Sequence, residues 1–134
     1  MKIEGKPMLE HIVSFLKFSK KIDQIIVATS NLKSDDKIEK LCNKIKVSCF
    51  RGDSLNVLKR YFDCATNYEC DVVVRITADN PLIDPTLVDK AITLLINKKL
   101  DYVSNMIHPS YPEGYLVEVF TFNTLKYIYE TFDD

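Results

Sequence analysis

The first residue whose type and position could do chemistry is a carboxylate that follows an apolar segment. Residues 72–77 read VVVRIT. Asp79 follows this segment after one alanine, and Pro81 stiffens the next turn. A fixed carboxylate beside a phosphate is the usual way for a protein to hold Mg²⁺. Asp79 is therefore the candidate metal ligand, with simple capping of a turn as the alternative. Asp84 is better explained as the cap of a helix that begins at Pro85.

The cysteines and histidines do not suggest another reactive centre. None of the four cysteines forms a Cys-x-x-Cys pair, and neither histidine lies at a ligand spacing from them. We expect reduced thiols, some of them packed in the core. His11 lies beside the apolar face of a helix and His108 lies in a polar loop, and the sequence places no group that would make either a base. The cysteines are Cys42, Cys49, Cys64 and Cys70.

Composition limits the class of protein. The chain has 134 residues and a net charge of −1, from 18 basic and 19 acidic residues, which argues against a broad nucleic-acid footprint. No apolar run approaches the roughly 20 residues that span a bilayer, and no signal peptide is visible. We therefore expect a cytoplasmic protein with no nucleic-acid or membrane partner, folded as a single domain over residues 1–134.

The elements that must position Asp79 follow from the spacing of apolar residues. Helices are predicted at 7–18, 34–45, 55–67, 85–97 and 122–132, and strands at 24–29, 47–50, 72–77, 102–105 and 117–120. This alternation favours an α/β fold, a three-layer α/β/α sandwich whose sheet is mostly parallel. Ligands of such sheets bind outside the carboxyl ends of the strands, where Asp79 lies.

Short segments along the chain carry a family resemblance. They are GKPMLEHI at 5–12, VATS at 27–30, CFRG at 49–52, RITADNPLID at 75–84, DYVSN at 101–105, YPEG at 111–114 and VEVF at 117–120. In this order they resemble the sugar and acylneuraminate cytidylyltransferases, in particular the spore-coat polysaccharide biosynthesis protein F type. The resemblance implies a nucleotide-diphospho-sugar transferase-like fold, here incomplete.

The resemblance also implies a reaction. A hydroxyl of a sugar or sugar acid attacks the α-phosphate of CTP and pyrophosphate leaves, in the biosynthesis of surface polysaccharide. Mg²⁺ would be the cofactor, with Asp79 as its ligand. CTP and the sugar would be the partners, and because relatives commonly pair, a homodimer is an expected assembly.

Roles for other residues come from the same resemblance. Lys6 and Arg75 are the candidate catalytic residues, although a lysine at the start of a helix is more often simply solvated. The stretch at 51–53 would lie near the base or ribose, and polar residues of the later motifs would line the acceptor side. The first group is Arg51, Gly52 and Asp53, and the second is Ser104, Asn105, Glu113 and Glu118.

The sequence departs from the family pattern in several places. Ala78 stands where the family usually has Gly, and Leu116 where it commonly has Asp. The family's opening strand and its triphosphate loop, which ends in Pro-Gly-Lys, have no counterpart from Met1 onward, and the family's second metal-binding Asp has no counterpart up to Asp134. We therefore expect weak CTP binding and little or no turnover by the chain as given. We also expect either a gap or direct pairing between the strands at 24–29 and 72–77.

Other functions remain open at this point. One alternative is a non-catalytic module that keeps a nucleotide- or sugar-binding pocket. Another is a general α/β domain, such as a receiver or a glycosyltransferase-like fold, without nucleotide chemistry. The receiver is disfavoured, because no paired acids follow a first strand.

Overall fold

The computed structural model of the protein describes residues 1–106 and 111–132, and His108 lies outside this part. The chain divides into two compact units. The first comprises Met1–Asp23 and Val72–Thr121, and the second comprises Gln24–Asp71 and Phe122–Asp134. No helix of the described residues is long and apolar enough to cross a membrane. The single domain over residues 1–134 stays a prediction.

The first unit begins with a hairpin that the sequence pattern did not predict. Strands β1 (Lys2–Ile3) and β2 (Lys6–Pro7) pair antiparallel through a two-residue turn. Both turn residues have positive φ, 47° at Glu4 and 80° at Gly5, as the tightest hairpin turns require. Helix α1 (Met8–Leu16) follows and buries one apolar face.

The main sheet of the first unit has three strands. Strand β5 (Val72–Arg75), helix α4 (Pro85–Lys98) and strand β6 (Tyr102–Ser104) form a crossover, and β7 (Glu118–Thr121) lies between the two strands. Strands β5 and β6 run in the same direction, as expected for strands joined by a helix. Strand β7 is antiparallel to both.

The mostly parallel sheet of the sequence analysis therefore needs a correction. The α/β class is confirmed, but β7 runs against its two neighbours. The physical reason is the connection before it: residues 105–117 contain no helix in their described part, and a return without a crossover helix delivers an antiparallel strand.

Helix α4 begins and ends as the sequence predicts. Asp84 Oδ1 accepts a hydrogen bond of 2.7 Å from the Thr86 N–H, and Pro85 occupies the first turn. The helix packs on β6 and β7. Its buried residues and those of the adjacent segments form the core of the unit: Ile83, Val88, Ile92, Leu95, Val117 and Val119.

The second unit contains the parallel pairing that was predicted. Strands β3 (Ile26–Ser30) and β4 (Ser48–Gly52) pair parallel, and α2 (Asp36–Ile45) connects them after a short 3₁₀ turn. Helix α3 (Val57–Asn67) packs on both strands, and α5 (Phe122–Phe132) packs on α3. Strands β3 and β5 belong to different sheets in the described chain, so direct pairing, one of the two expected alternatives, is not found, and a gap between these strands stays a prediction.

Candidate functional site

Asp79 lies in the turn that follows β5, at the carboxyl end of the strand, as predicted. Its carboxylate is exposed, and Oδ1 accepts a hydrogen bond from the Thr77 hydroxyl. This hydroxyl is the main reason why the pKa of Asp79 is lowered, so the carboxylate stays ionised near neutral pH. Capping of α4 falls to Asp84 instead, and no N–H of that helix donates to Asp79 in the described structure. An exposed, ionised carboxylate is available to a ligand.

The donor set around Asp79 fits one kind of metal site. The described residues hold no group of three or more His, Cys, Asp or Glu side chains that could enclose a metal ion. Mg²⁺ does not need such a cage, because proteins commonly bind it through one or two carboxylates while water and phosphate oxygens complete its shell. Asp79 fits as a single ligand of an ion that a bound phosphate would share.

Strand register places three of the candidate residues in one row across the sheet. Glu118 in β7 lies directly opposite Arg75 in β5 and opposite Ser104 in β6. Residues opposite one another on a sheet point to the same face, so these side chains share a surface. The row lies at the carboxyl ends of β5 and β6, the edge predicted to bind ligands.

Glu118 is held at both of its oxygens. Arg75 Nη1 donates to Oε2, and the hydroxyl of Tyr102 donates to Oε1 over 2.8 Å. The Arg75 side chain is 33% exposed and that of Glu118 is 17% exposed, so the ion pair is partly shielded from water. Burial, with a smaller contribution from Glu118, raises the pKa of Tyr102. The structure thus joins a predicted catalytic residue to a predicted acceptor-side residue and adds Tyr102, which the sequence did not single out.

The other acceptor-side candidates lie on the same edge but differ in their contacts. The Asn105 side chain donates to Tyr115 O at 2.8 Å and accepts from Val117 N–H at 3.0 Å, so it holds backbone. The Ser104 hydroxyl accepts from the Met106 N–H at 3.0 Å. Glu113 is exposed. Of these, Glu113 is the side chain most accessible to a ligand.

Lys6 lies at the end of the opening hairpin. It is exposed and makes no ion pair with the described residues. The hairpin itself is tied to α1 by His11, whose Nε2 lies 2.9 Å from Ile3 O. No contact in the described chain joins Lys6 to Arg75 or Asp79, so its catalytic role stays a prediction.

Arg51 belongs to the second unit, where its guanidinium is already occupied. Nε donates to Ser30 O at 2.6 Å, Nη2 to Leu32 O at 2.8 Å, and the two terminal nitrogens pair with Asp36 and Glu39 at 3.0 Å each. These four bonds leave one of the five guanidinium N–H groups for other partners. Arg51 therefore fastens the loop between β3 and α2, and its contact with a nucleotide stays a prediction.

Asp35 fastens the same loop from the other side. Its Oδ2 accepts from the Ser30 hydroxyl at 2.6 Å, the Thr29 hydroxyl at 2.8 Å and the Ser30 N–H at 3.1 Å. These bonds, led by the Ser30 hydroxyl, lower the pKa of Asp35 to about 2. The end of β3 is thus held by one carboxylate and one guanidinium.

Gly52 and Asp53 shape the turn between β4 and α3. A Cβ at Gly52 would lie 2.8 Å from Phe50 Cε1 and 2.9 Å from Arg60 Cγ, closer than real contacts, so any other residue would force these side chains to shift. Asp53 Oδ1 accepts from the N–H groups of Leu55 and Asn56, which lowers its pKa. Both residues have structural roles, and their proximity to a base or ribose stays a prediction.

Arg60 lies in the first turn of α3, next to this segment, and no individual role was predicted for it. Its Nη1 donates to Asp53 O at 2.6 Å, while its Nε is buried and has no hydrogen-bond partner. A buried donor without a partner is uncommon and costs free energy. Arg60 thus brings an unsatisfied donor next to Asp53, at the end of the stretch predicted to lie near the base or ribose.

Comparison with known proteins gives this geometry a context. The sequence model of a protein family described as cytidylyltransferase matches residues 1–131. An uncharacterized protein of Methanocaldococcus jannaschii is 43% identical over 128 residues, which are 94% of this chain and 51% of that protein. The spore coat polysaccharide biosynthesis protein SpsF of Bacillus subtilis is 34% identical over 85 residues, 63% of this chain and 35% of its own length. The chain thus spans about half the length, or less, of these relatives.

Solved structures agree on the fold. A cytidylyltransferase from Leptospira borgpetersenii superposes with a TM-score of 0.93 at 30% identity, over 98% of this chain and 56% of that one. The CMP:2-keto-3-deoxy-manno-octonic acid synthetase, solved with CTP, gives a TM-score of 0.72 at 16% identity, over 97% and 69% of the two chains. The second likeness shows the fold alone, the nucleotidyltransferase-like α/β fold that the sequence predicted.

Proposed function

Because this chain belongs to the cytidylyltransferase family, we propose that the protein transfers a cytidylyl group from CTP to a hydroxyl of a sugar or sugar acid. The observation that carries the proposal is the family match over residues 1–131. SpsF and a 3-deoxy-manno-octulosonate cytidylyltransferase of Pelobacter propionicus, 29% identical over 97 residues, support an acceptor of this class and a role in surface polysaccharide.

Charge is the main demand of this reaction. The acceptor oxygen forms a bond to the α-phosphorus, the bond to the leaving pyrophosphate breaks, and negative charge grows on the leaving group. Mg²⁺, when bound, neutralises part of that charge. Asp79 would hold the ion, since its carboxylate is exposed and its pKa is lowered.

Arg75 and Glu118 would serve the acceptor side as a pair. Glu118 balances the Arg75 charge and fixes the guanidinium, while Tyr102 occupies the remaining carboxylate oxygen. Since both Glu118 oxygens are engaged, the exposed Glu113 is the better candidate for direct contact with sugar hydroxyls. On the nucleotide side, the proposal for residues 51–53 rests on the resemblance, to which Arg60 adds its buried Nε.

The test is an assay of pyrophosphate release by the purified chain with CTP, Mg²⁺ and a panel of sugars and sugar acids. The Leptospira cytidylyltransferase serves as the positive control, and CTP binding is measured in parallel by calorimetry. We expect any release to be slow, to require CTP, the cation and an acceptor together, and to be abolished by Asp79→Asn. Clear CTP binding without release would support the non-catalytic binding module instead, and the absence of both would support neither function for the chain as given.

The same assay checks the expectation of weak turnover. A rate within about tenfold of the Leptospira enzyme would contradict it; the loss of one preorganised group that stabilises developing charge typically costs about 10²–10³ in rate. A homodimer, also proposed by resemblance, is checked by light scattering of the purified chain.

A further inference from the structure

Asn80 is the most buried polar side chain next to the proposed metal ligand. It is 2% exposed, and its amide is bonded at both ends. Nδ2 donates to the Thr77 hydroxyl oxygen at 2.6 Å, and Oδ1 accepts from the Leu116 N–H at 3.4 Å. A buried amide is costly unless it is paired, so its two partners are held together by it.

The Thr77 hydroxyl, which Asn80 holds in place, is in turn hydrogen-bonded to Asp79. A hydroxyl has one hydrogen to donate, and the Thr77 oxygen accepts from Asn80, so its own hydrogen points to Asp79 Oδ1. The bond fixes the orientation of the carboxylate. Asn80 Nδ2 also lies 3.4 Å from the same oxygen, Asp79 Oδ1. Asp79 Oδ2 accepts no side-chain hydrogen bond from the described residues.

The other end of the Asn80 amide reaches the segment before β7. Asn105 holds the neighbours of Leu116, since it donates to Tyr115 O and accepts from Val117 N–H. Val117 is 1% exposed, so its N–H depends on this partner. Two side-chain amides thus fix residues 115–117, which lead directly into Glu118.

We propose that Asn80 is a positioning residue that orients the Asp79 carboxylate through Thr77 and fixes the 115–117 segment at the same time. The inference rests on the proposed function in one respect, that Asp79 binds a divalent cation. It adds that the cation ligand and the start of the acceptor-side strand are held by one amide. Partners that orient a metal ligand typically contribute about 10–100-fold to metal affinity.

The first experiment measures the metal ligand directly, without turnover. Mn²⁺ alone is titrated into the chain, and its paramagnetic broadening of backbone amide signals at residues 78–80 reports weak binding. Thr77→Val keeps the shape of the side chain but removes the hydroxyl, and we expect it to weaken Mn²⁺ binding by about tenfold or more. Thr77→Ser restores the hydroxyl and should bind nearly as wild type.

Thr86 offers a matched control. Its hydroxyl donates to Asp84 Oδ1 at 2.8 Å, also across two residues, but that carboxylate caps α4. Thr86→Val should leave Mn²⁺ binding unchanged. Equal losses in Thr86→Val and Thr77→Val would overturn the proposal, since the effect would then be general destabilisation.

The second experiment tests the other end of the amide. In Asn80→Ala, hydrogen exchange should become faster at the Leu116 amide, while Val117 keeps its protection through Asn105. Mn²⁺ binding should weaken as in Thr77→Val. If Asn80→Ala does not fold, the two Thr77 variants decide the question.

Failure of the inference and failure of the proposed function look different. If Asp79→Asn weakens Mn²⁺ binding but Asn80→Ala and Thr77→Val do not, the positioning role is overturned and the proposed function stands. If Asp79→Asn binds Mn²⁺ as the wild type does, the proposed metal site is wrong and the inference falls with it.

Discussion

Ile83 offers a sharp test of how the turn around Asp79 is anchored. Its side chain is 2% exposed, whereas that of its neighbour Leu82 is 57% exposed. Replacement of a buried isoleucine by alanine costs about 2–5 kcal/mol, since transfer energy is lost and a cavity remains. Exposed substitutions usually stay within about 0.5 kcal/mol. The adjacent positions therefore form a matched pair.

The assay is urea unfolding followed by far-ultraviolet circular dichroism, since the chain has no tryptophan. At a slope of about 2 kcal/mol/M, a loss of about 3 kcal/mol in Ile83→Ala lowers the unfolding midpoint by about 1.5 M. Leu82→Ala should leave the midpoint close to wild type, and Ile83→Val should lose about 0.5–1.5 kcal/mol. Equal midpoints for the two alanine variants would refute the argument that Ile83 anchors the turn.

Three further predictions concern charged and titrating groups. Arg51→Lys should lower the unfolding temperature, because an ammonium group cannot reproduce the four guanidinium bonds. Lys40→Arg, at an exposed position, is the control. A change in CTP affinity with no change in unfolding temperature would contradict the structural role of Arg51. Asp35 has a folded pKa of about 2, below its ordinary 3.8, so its ionised form stabilises the fold at pH values above 3.8 and this contribution is lost as the pH falls toward 2. The midpoint of urea unfolding, measured between pH 5 and 2, should therefore depend less on pH in Asp35→Asn than in the wild type. An equal pH dependence in the two proteins would count against the hydrogen bonds described. Glu118→Gln should lower the pKa of Tyr102, because the carboxylate no longer disfavours the phenolate. A pH titration of the Tyr102 ring signals by NMR measures this pKa, since the chain has seven tyrosines, and an unchanged value would show that burial alone raises it.

Local pattern was enough to predict most elements of the fold. Helix α4 is an example, because Asp84 and Pro85 are typical of a helix N-cap and first helical residue, and the apolar residues that follow repeat at helical spacing. The opening hairpin was not predicted, since strands of two residues are too short to show alternation and the turn reads Glu4-Gly5 rather than Asn-Gly. The direction of β7 was not predicted, because the periodicity of apolar residues identifies a strand but does not show which strands it pairs with.

The candidate site was predictable to a similar depth. The placement of Asp79 followed from the strand before it, and the shared edge of Arg75 and Ser104 followed from the general rule about carboxyl ends. The position of Glu118 on that edge did not follow, because Glu118 begins β7 and reaches the edge only through the antiparallel direction of that strand. The partners of Arg51 and the two bonded ends of Asn80 did not follow, because residues far apart in sequence supply them. A sequence motif names a side chain, whereas its hydrogen bonds depend on tertiary packing.

The position of β7 has a consequence for the order in which the protein folds. The central strand of the three-stranded sheet is its last in sequence, so β5 and β6 have no partner in that sheet until residues 118–121 have been synthesised. Pairing between distant segments must wait for loop closure and slows folding. During synthesis, the facing edges of β5 and β6 are open to other strands, and such edges are sites of aggregation. A nascent chain halted before Glu118 should therefore bind chaperones more strongly than one released after Thr121.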